Sequence, residues 1–232
     1  MKQKLLLKLA YISTILATLT LACLGSRAVS VFSETTGIDR EHCVVIDPGH
    51  GGVDGGAVSC TGVKESQLNL QICIRLNDLL QFLGYRTKMI RSEDVSVHTK
   101  GDTIAQMKMS DLRERVRICN ETEGAVLLSI HQNTFTDGRY SGAQVFYGPT
   151  EESKSMAQLL QKEMIRTLNP GSKREIKKST GVYLMENIRC PGILVECGFL
   201  SNYQEEAKLR SAEYQKELSC VIAACTARFL NG

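Results

Sequence analysis

The stretch CVVIDPGHGGVDGG, residues 43–56, drives a short apolar run straight into five glycines that surround one histidine. An unbroken apolar run of this length reads as a strand buried on both faces. Glycine lowers stability unless the backbone needs an unusual path or something must approach closely. The reading is a buried strand followed by a loop built around His50, with a metal ion as the approaching group.

Outward from that point, strands and helices alternate. Cys43–Ile46 is the first strand. Residues 65–83 place Leu68, Ile72, Leu76, Leu79, Leu80 and Leu83 at helical spacing, and Gly84 marks the stop. Further strands are expected at 85–90, 125–130, 143–147, 181–185 and 192–197. Helices are expected at 110–120 and 152–168, with a short helix and a longer closing one within 203–230. Such alternation predicts an α/β fold: a single domain with a mostly parallel twisted sheet and helices on both faces.

The chain has 232 residues, enough to bury a core without disulfide staples. The N-terminus stands apart. Lys2, Lys4 and Lys8 precede an uncharged run from Leu9 to Ser26. Residues 1–26 read as a signal peptide or an uncleaved membrane anchor, residues 27–41 as a polar linker, and residues 42–232 as the catalytic domain. Basic residues ahead of the apolar run place that domain outside the cytoplasm. Leu21-Ala22-Cys23 resembles a lipoprotein cleavage site, although Thr20 stands where an aliphatic residue is preferred. Without the three leader lysines, 25 of the 28 basic residues remain, matching the 25 acidic ones. That balance argues against a nucleic-acid-binding surface. Eight cysteines lie beyond the leader with no CxxC pair, mostly within apolar patterns. They read as small buried hydrophobes rather than a disulfide framework.

In open α/β sheets, sites form at the C-terminal ends of strands. His50 follows the first strand, His131 follows residues 125–130, Glu196 closes residues 193–196, and Glu65 opens the first helix. Imidazole and carboxylate suit zinc, and a catalytic zinc keeps one position for water. A further carboxylate must then carry a proton from the water to the leaving group. Spacing alone does not say which glutamate does which.

Four stretches resemble the zinc-dependent N-acetylmuramoyl-L-alanine amidases of the type-3 amidase family: VVIDPGHGGVDGGAV, KESQLNLQI, LLSIHQNTF and PGILVECGFLSNYQEEAKL, in the family's order. MIRSED around Arg91 and LRERVRICN at 112–120 are weaker echoes. The resemblance implies one Zn2+ ion held by His50, Glu65 and His131, with Glu196 as the catalytic acid–base. It implies hydrolysis of the amide between N-acetylmuramic acid and L-alanine in peptidoglycan. YLMENIRCPGILVECGFLSN and the compact length are most similar to the subgroup acting on spore cortex, as a step towards muramic-δ-lactam. The implied location is extracytoplasmic, in the cell wall or the forespore intermembrane space, with membrane contact through the leader if it is retained. Some relatives carry an insert that folds over the zinc; here only Gly148-Pro149-Thr150 separates the strand at 143–147 from the next helix. Control is therefore expected from an activating or recruiting protein partner. A vegetative cell-wall autolysin, a zinc peptidase and an inactive peptidoglycan-binding scaffold are the rival readings.

Other residues carry plainer expectations. Gly51, Gly52, Gly55 and Gly56 are expected to let the loop pass close to metal and glycan. Gln132 is expected either at substrate or in solvent. His98 is placed in a polar loop spanning 92–108, and Lys173, Arg174, Lys177 and Lys178 on a solvated face.

Overall fold

The computed structural model describes residues 41–232. The leader and linker readings lie outside those residues. Six strands form one sheet: β1 (Cys43–Pro48), β2 (Arg86–Met89), β3 (Ala125–Asn133), β4 (Gln144–Tyr147), β5 (Lys177–Lys178) and β6 (Gly192–Phe199). Their order is β2-β1-β3-β6-β4-β5. β2, β1, β3 and β6 run parallel, and β4 lies antiparallel to β6. The sheet is mostly parallel with helices on both faces, as the alternation predicts.

The apolar runs explain the centre. Val44, Val45 and Ile46 are fully buried and pair with Val126, Leu127 and Leu128 of β3. Successive side chains leave on opposite faces. On one face Val45, Leu127 and Leu194 meet Cys119 of α2 (Ile104–Glu121) and Leu184, Met185 and Ile188 in and beside α4 (Tyr183–Asn187). The other face is covered by α1 (Glu65–Phe82), α3 (Glu151–Thr167) and α6 (Ala212–Leu230), with α5 (Tyr203–Arg210) packed on α6 and β6. Ile72, Leu76, Met156, Leu160, Leu218 and Ile222 are almost fully buried there. Each such side chain contributes about 1.5–3 kcal/mol on leaving water. No helix among the described residues is long and apolar enough to cross a membrane.

Three local expectations change. Residues 181–185 are not a strand but the start of α4, which runs Tyr183–Asn187. Val182, Tyr183 and Leu184 have strand-like composition, yet Leu184 and Ile188 stand one helical turn apart and both enter the core. The extra strand, β5, is the two-residue pair Lys177–Lys178. Helix α2 begins at Ile104, six residues before the expected start, because Thr103 and Gln106 form a reciprocal capping box. Its first turns are solvated, so they show no apolar period. Arg174 is not simply solvated: its guanidinium lies over Phe199, 4.6 Å from the ring centroid, and donates to Ser141 O. The eight cysteines in the described residues are all free, and five are buried; Cys220 is exposed.

Candidate active site and metal centre

Sheet register brings the strand-borne residues together. His131 of β3 lies directly opposite Glu196 of β6, and Pro48 at the end of β1 pairs with Ile130. The next β3–β6 pair is Asn133 with Phe199, so β6 holds one extra residue and the ladder bulges beside the site. Bulges of this kind re-aim side chains at the ends of strands. His50 arrives two residues after β1, and Glu65 is the first residue of α1.

His50 Nε2 is 3.3 Å from Glu65 Oε2, and His131 Nδ1 is 3.0 Å from Glu65 Oε1. The two imidazoles meet edge-on with centroids 5.0 Å apart. One ligand atom from each of the three residues lies within 4.8 Å of the others. Ligands of a tetrahedral ion with metal–ligand bonds of about 2.0–2.2 Å stand about 3.3–3.6 Å apart. Two imidazoles and a carboxylate at this spacing can hold a metal ion with little movement. A second observation agrees. Glu196 Oε2 is buried with no hydrogen-bond partner, and such an atom is costly unless a proton, water or ion completes it. Both Glu196 and the two histidines line one cleft of about 340 Å³.

The glycines around His50 now have specific reasons. A Cβ on Gly49 would sit 2.2 Å from the His131 ring, and one on Gly56 would sit 2.6 Å from Glu65 Oε2. Gly56 also has φ +69°, a region that side chains disfavour. Gly51 and Gly52 instead pass close to the backbone of Val95 and Ser96, and Gly55 meets only the Lys64 side chain. The expectation that all four named glycines serve the site is therefore corrected to Gly56, with Gly49 added.

Electrostatics reinforce the cluster. Burial favours the neutral form of Glu65, but hydrogen bonds and charge from His131 and His50 outweigh it and hold the carboxyl far below its ordinary range. Ala57 N, Gln132 N and Asn69 Nδ2 also donate to Glu65. Burial opposes protonation of His50, yet Glu65 and Asp54 raise it to about 9. Burial pushes the Glu196 carboxyl up to about 7, with His131 pulling down, Glu65 pushing up and His50 pulling down.

Several supporting residues escaped the sequence reading. His50 is the one non-glycine residue with positive φ, at 60°, among those described. Arg115 Nη2 donates to its carbonyl at 2.7 Å, and Arg115 Nη1 to Pro48 O at 3.0 Å. The same guanidinium pairs with Asp47 and with Asp111, and Asp47 accepts from Ser129 Oγ. Arg91 donates to the carbonyls of Pro48, Gly49 and Ser66. Both arginines lie in the two weaker echoes, which is the signal that marked them. Gln132 is neither at substrate nor in solvent: it is buried, and its Nε2 donates to Asn69 Oδ1 behind Glu65. His98 is half-buried against Ser96 and lies outside the metal-type cluster.

Comparison with known proteins settles the family. The profile described as N-acetylmuramoyl-L-alanine amidase matches residues 44–227. The chain belongs to this family. Each of the four motif-bearing segments brings one residue to the same end of the sheet: His50, Glu65, His131 and Glu196. The chain is 38% identical over 181 residues to the germination-specific N-acetylmuramoyl-L-alanine amidase of Bacillus subtilis, covering 77% of this chain and 76% of that one. It is 29% identical to the amidase LytC of the same organism, of which the match spans 34%. Among solved structures, the CwlD amidase from Clostridioides difficile in complex with the GerS lipoprotein superposes with a TM-score of 0.78 at 30% identity. That match covers 82% of this chain and 98% of CwlD.

Proposed function

We propose that this amidase holds one zinc ion on His50, Glu65 and His131, and cleaves the bond between N-acetylmuramic acid and L-alanine in spore-cortex peptidoglycan. The observation that carries the reading is the meeting of two imidazoles and a carboxylate beside the unpartnered, buried oxygen of Glu196. Likeness to a germination-specific relative supports cortex as the substrate; a step towards muramic-δ-lactam rests on the motif resemblance alone.

Zinc, when bound, supplies Lewis acidity that polarises the scissile carbonyl and acidifies the attacking water. The chain's own groups do the rest. Glu196 accepts the water's proton on its free oxygen and returns it to the departing alanine nitrogen. A carboxyl raised towards neutrality by burial suits both halves of that task, and a nearby dication draws it back towards ionisation. Asn69 and the Ala57 and Gln132 amides keep the Glu65 carboxylate fixed while the histidines face it. Val53, Val182, Tyr183 and Leu184 form an apolar wall of the cleft that limits water at the reacting centre.

Export through the N-terminal segment would bring the domain to its polymer. β4 and α3 are joined by three residues, too few to fold over the site. We infer control by a protein partner, in keeping with the lipoprotein-bound state of CwlD.

Digestion of purified cortex and vegetative peptidoglycan, with and without added zinc, tests the proposal by product mass. Free glycan strands and intact stem peptides, released from cortex only when zinc is present, are expected. Cleavage between amino acids would overturn the amidase bond assignment. Equal digestion of both polymers would overturn the cortex assignment. Full activity of the purified domain with zinc alone would remove the case for a partner.

A further inference from the structure

Lys108 belongs to none of the motif segments. It lies in the solvated first turns of α2, where its Nζ is 2.7 Å from Asp54 Oδ1. The other oxygen of Asp54, Oδ2, is 2.9 Å from His50 Nδ1. On the far side of the same ring, Nε2 faces Glu65. A continuous polar line therefore runs from α2 through Asp54 and His50 to the metal-type cluster. Lys108 and Asp54 both line the cleft, and both are partly open to solvent.

We propose that Asp54 and Lys108 are an opposed pair of positioning residues that sets how tightly His50 holds its ion. This rests on the metal reading above. With an ion bound, His50 Nδ1–H donates to Asp54 Oδ2, which leaves the Nε2 lone pair for the ion and makes that nitrogen a stronger donor. A carboxylate behind a ligating histidine typically changes metal affinity by about 10–100-fold. Lys108 acts in the other direction. It draws on the same carboxylate and sets a fixed positive charge near the place where a cation binds, so it loosens the ion. The loop gains a second anchor on α2 from the same contact, and the experiment must separate that structural effect from the tuning.

Zinc affinity of the full domain, measured by competition with a chromogenic chelator, separates them when read beside urea unfolding of the metal-free protein. Asp54→Asn is expected to weaken zinc about 10–100-fold. Lys108→Met is expected to tighten zinc about two- to fivefold, reduced at high salt because the lysine is half exposed. Lys108→Arg should restore the starting affinity. A mere loop anchor would make Lys108→Met weaken zinc in step with a lower unfolding midpoint. That result, or unchanged affinity in both Asp54→Asn and Lys108→Met, would overturn the proposal. If Asp54→Asn fails to fold, the sign of the change between Lys108→Met and Lys108→Arg still decides. A parent protein that binds no zinc would instead defeat the metal reading itself, so the two failures are distinguishable.

Discussion

His50 and His131 face the same carboxylate, yet they are held by different kinds of structure. His131 sits in a strand, paired with Glu196 of β6 one residue beyond the last β1 pair and just before the bulge. His50 sits in a loop at φ 60°, a conformation few histidines adopt unaided. It is held by Arg115 and Arg91, which reach in from α2 and from the end of β2 to grip three successive carbonyls. One half of the site is fixed by local backbone pairing, the other by two buried side chains far away in sequence. The first half is therefore expected to tolerate side-chain change in its supports better than the second.

The largest expected effect ignores that difference. His50→Ala and His131→Ala should each bring hydrolysis to background with loss of bound zinc, read by metal content after desalting. Glu196→Gln comes next: zinc stays at the parent level while hydrolysis falls about 10²–10⁴-fold, the usual share of an acid–base group. An active Glu196→Gln enzyme would remove the proton-carrying role.

Arg115→Met addresses the contrast directly. It leaves the buried Asp47 carboxylate without its cation, a defect worth about 3–5 kcal/mol. Urea unfolding should show the loss, and zinc should weaken with it because the His50 carbonyl is released. Asp47→Asn in the same background should recover part of the stability. No recovery would show that the ion pair is not what Arg115 supplies.

The smallest effect is one of pH. Burial alone would raise the Asp47 carboxyl, but Arg115, His131 and Ser129 hold it below its ordinary value. A folded pKa lower than the unfolded one contributes stability that is complete above about pH 4 and disappears as pH falls through the folded value. The metal-free protein should therefore lose stability progressively below about pH 4, and Asp47→Asn should flatten that slope.

These contrasts also explain what the sequence could announce. β1, β3 and β6 were legible because strands buried on both faces need unbroken apolar runs, and α1 because a half-buried helix repeats its apolar face. His50, Glu65, His131 and Glu196 stood out because imidazoles and carboxylates at strand and helix ends have chemical meaning. The opening of α2 was silent because its first turns bury nothing, and α4 was misread because five residues are too few to display a helical period. The two echoes flagged Arg91 and Arg115 without saying what they hold, and the contacts of both, like those of Lys108, were hidden for another reason. Apart from the neighbouring Asp111, the partners described above are 25 to 68 residues distant along the chain, and a basic residue in a polar stretch carries no mark of the carbonyl or carboxylate it reaches.

The extra residue that β6 carries after Glu196 uncouples the strand's two ends. From His131 to Asn133 one strand advances two positions while its neighbour advances three. The rhythm of inward and outward side chains is thus reset immediately past the reacting groups. Phe199 and Leu200 can both turn into the core while Glu196, across the bulge, keeps its carboxyl in the cleft.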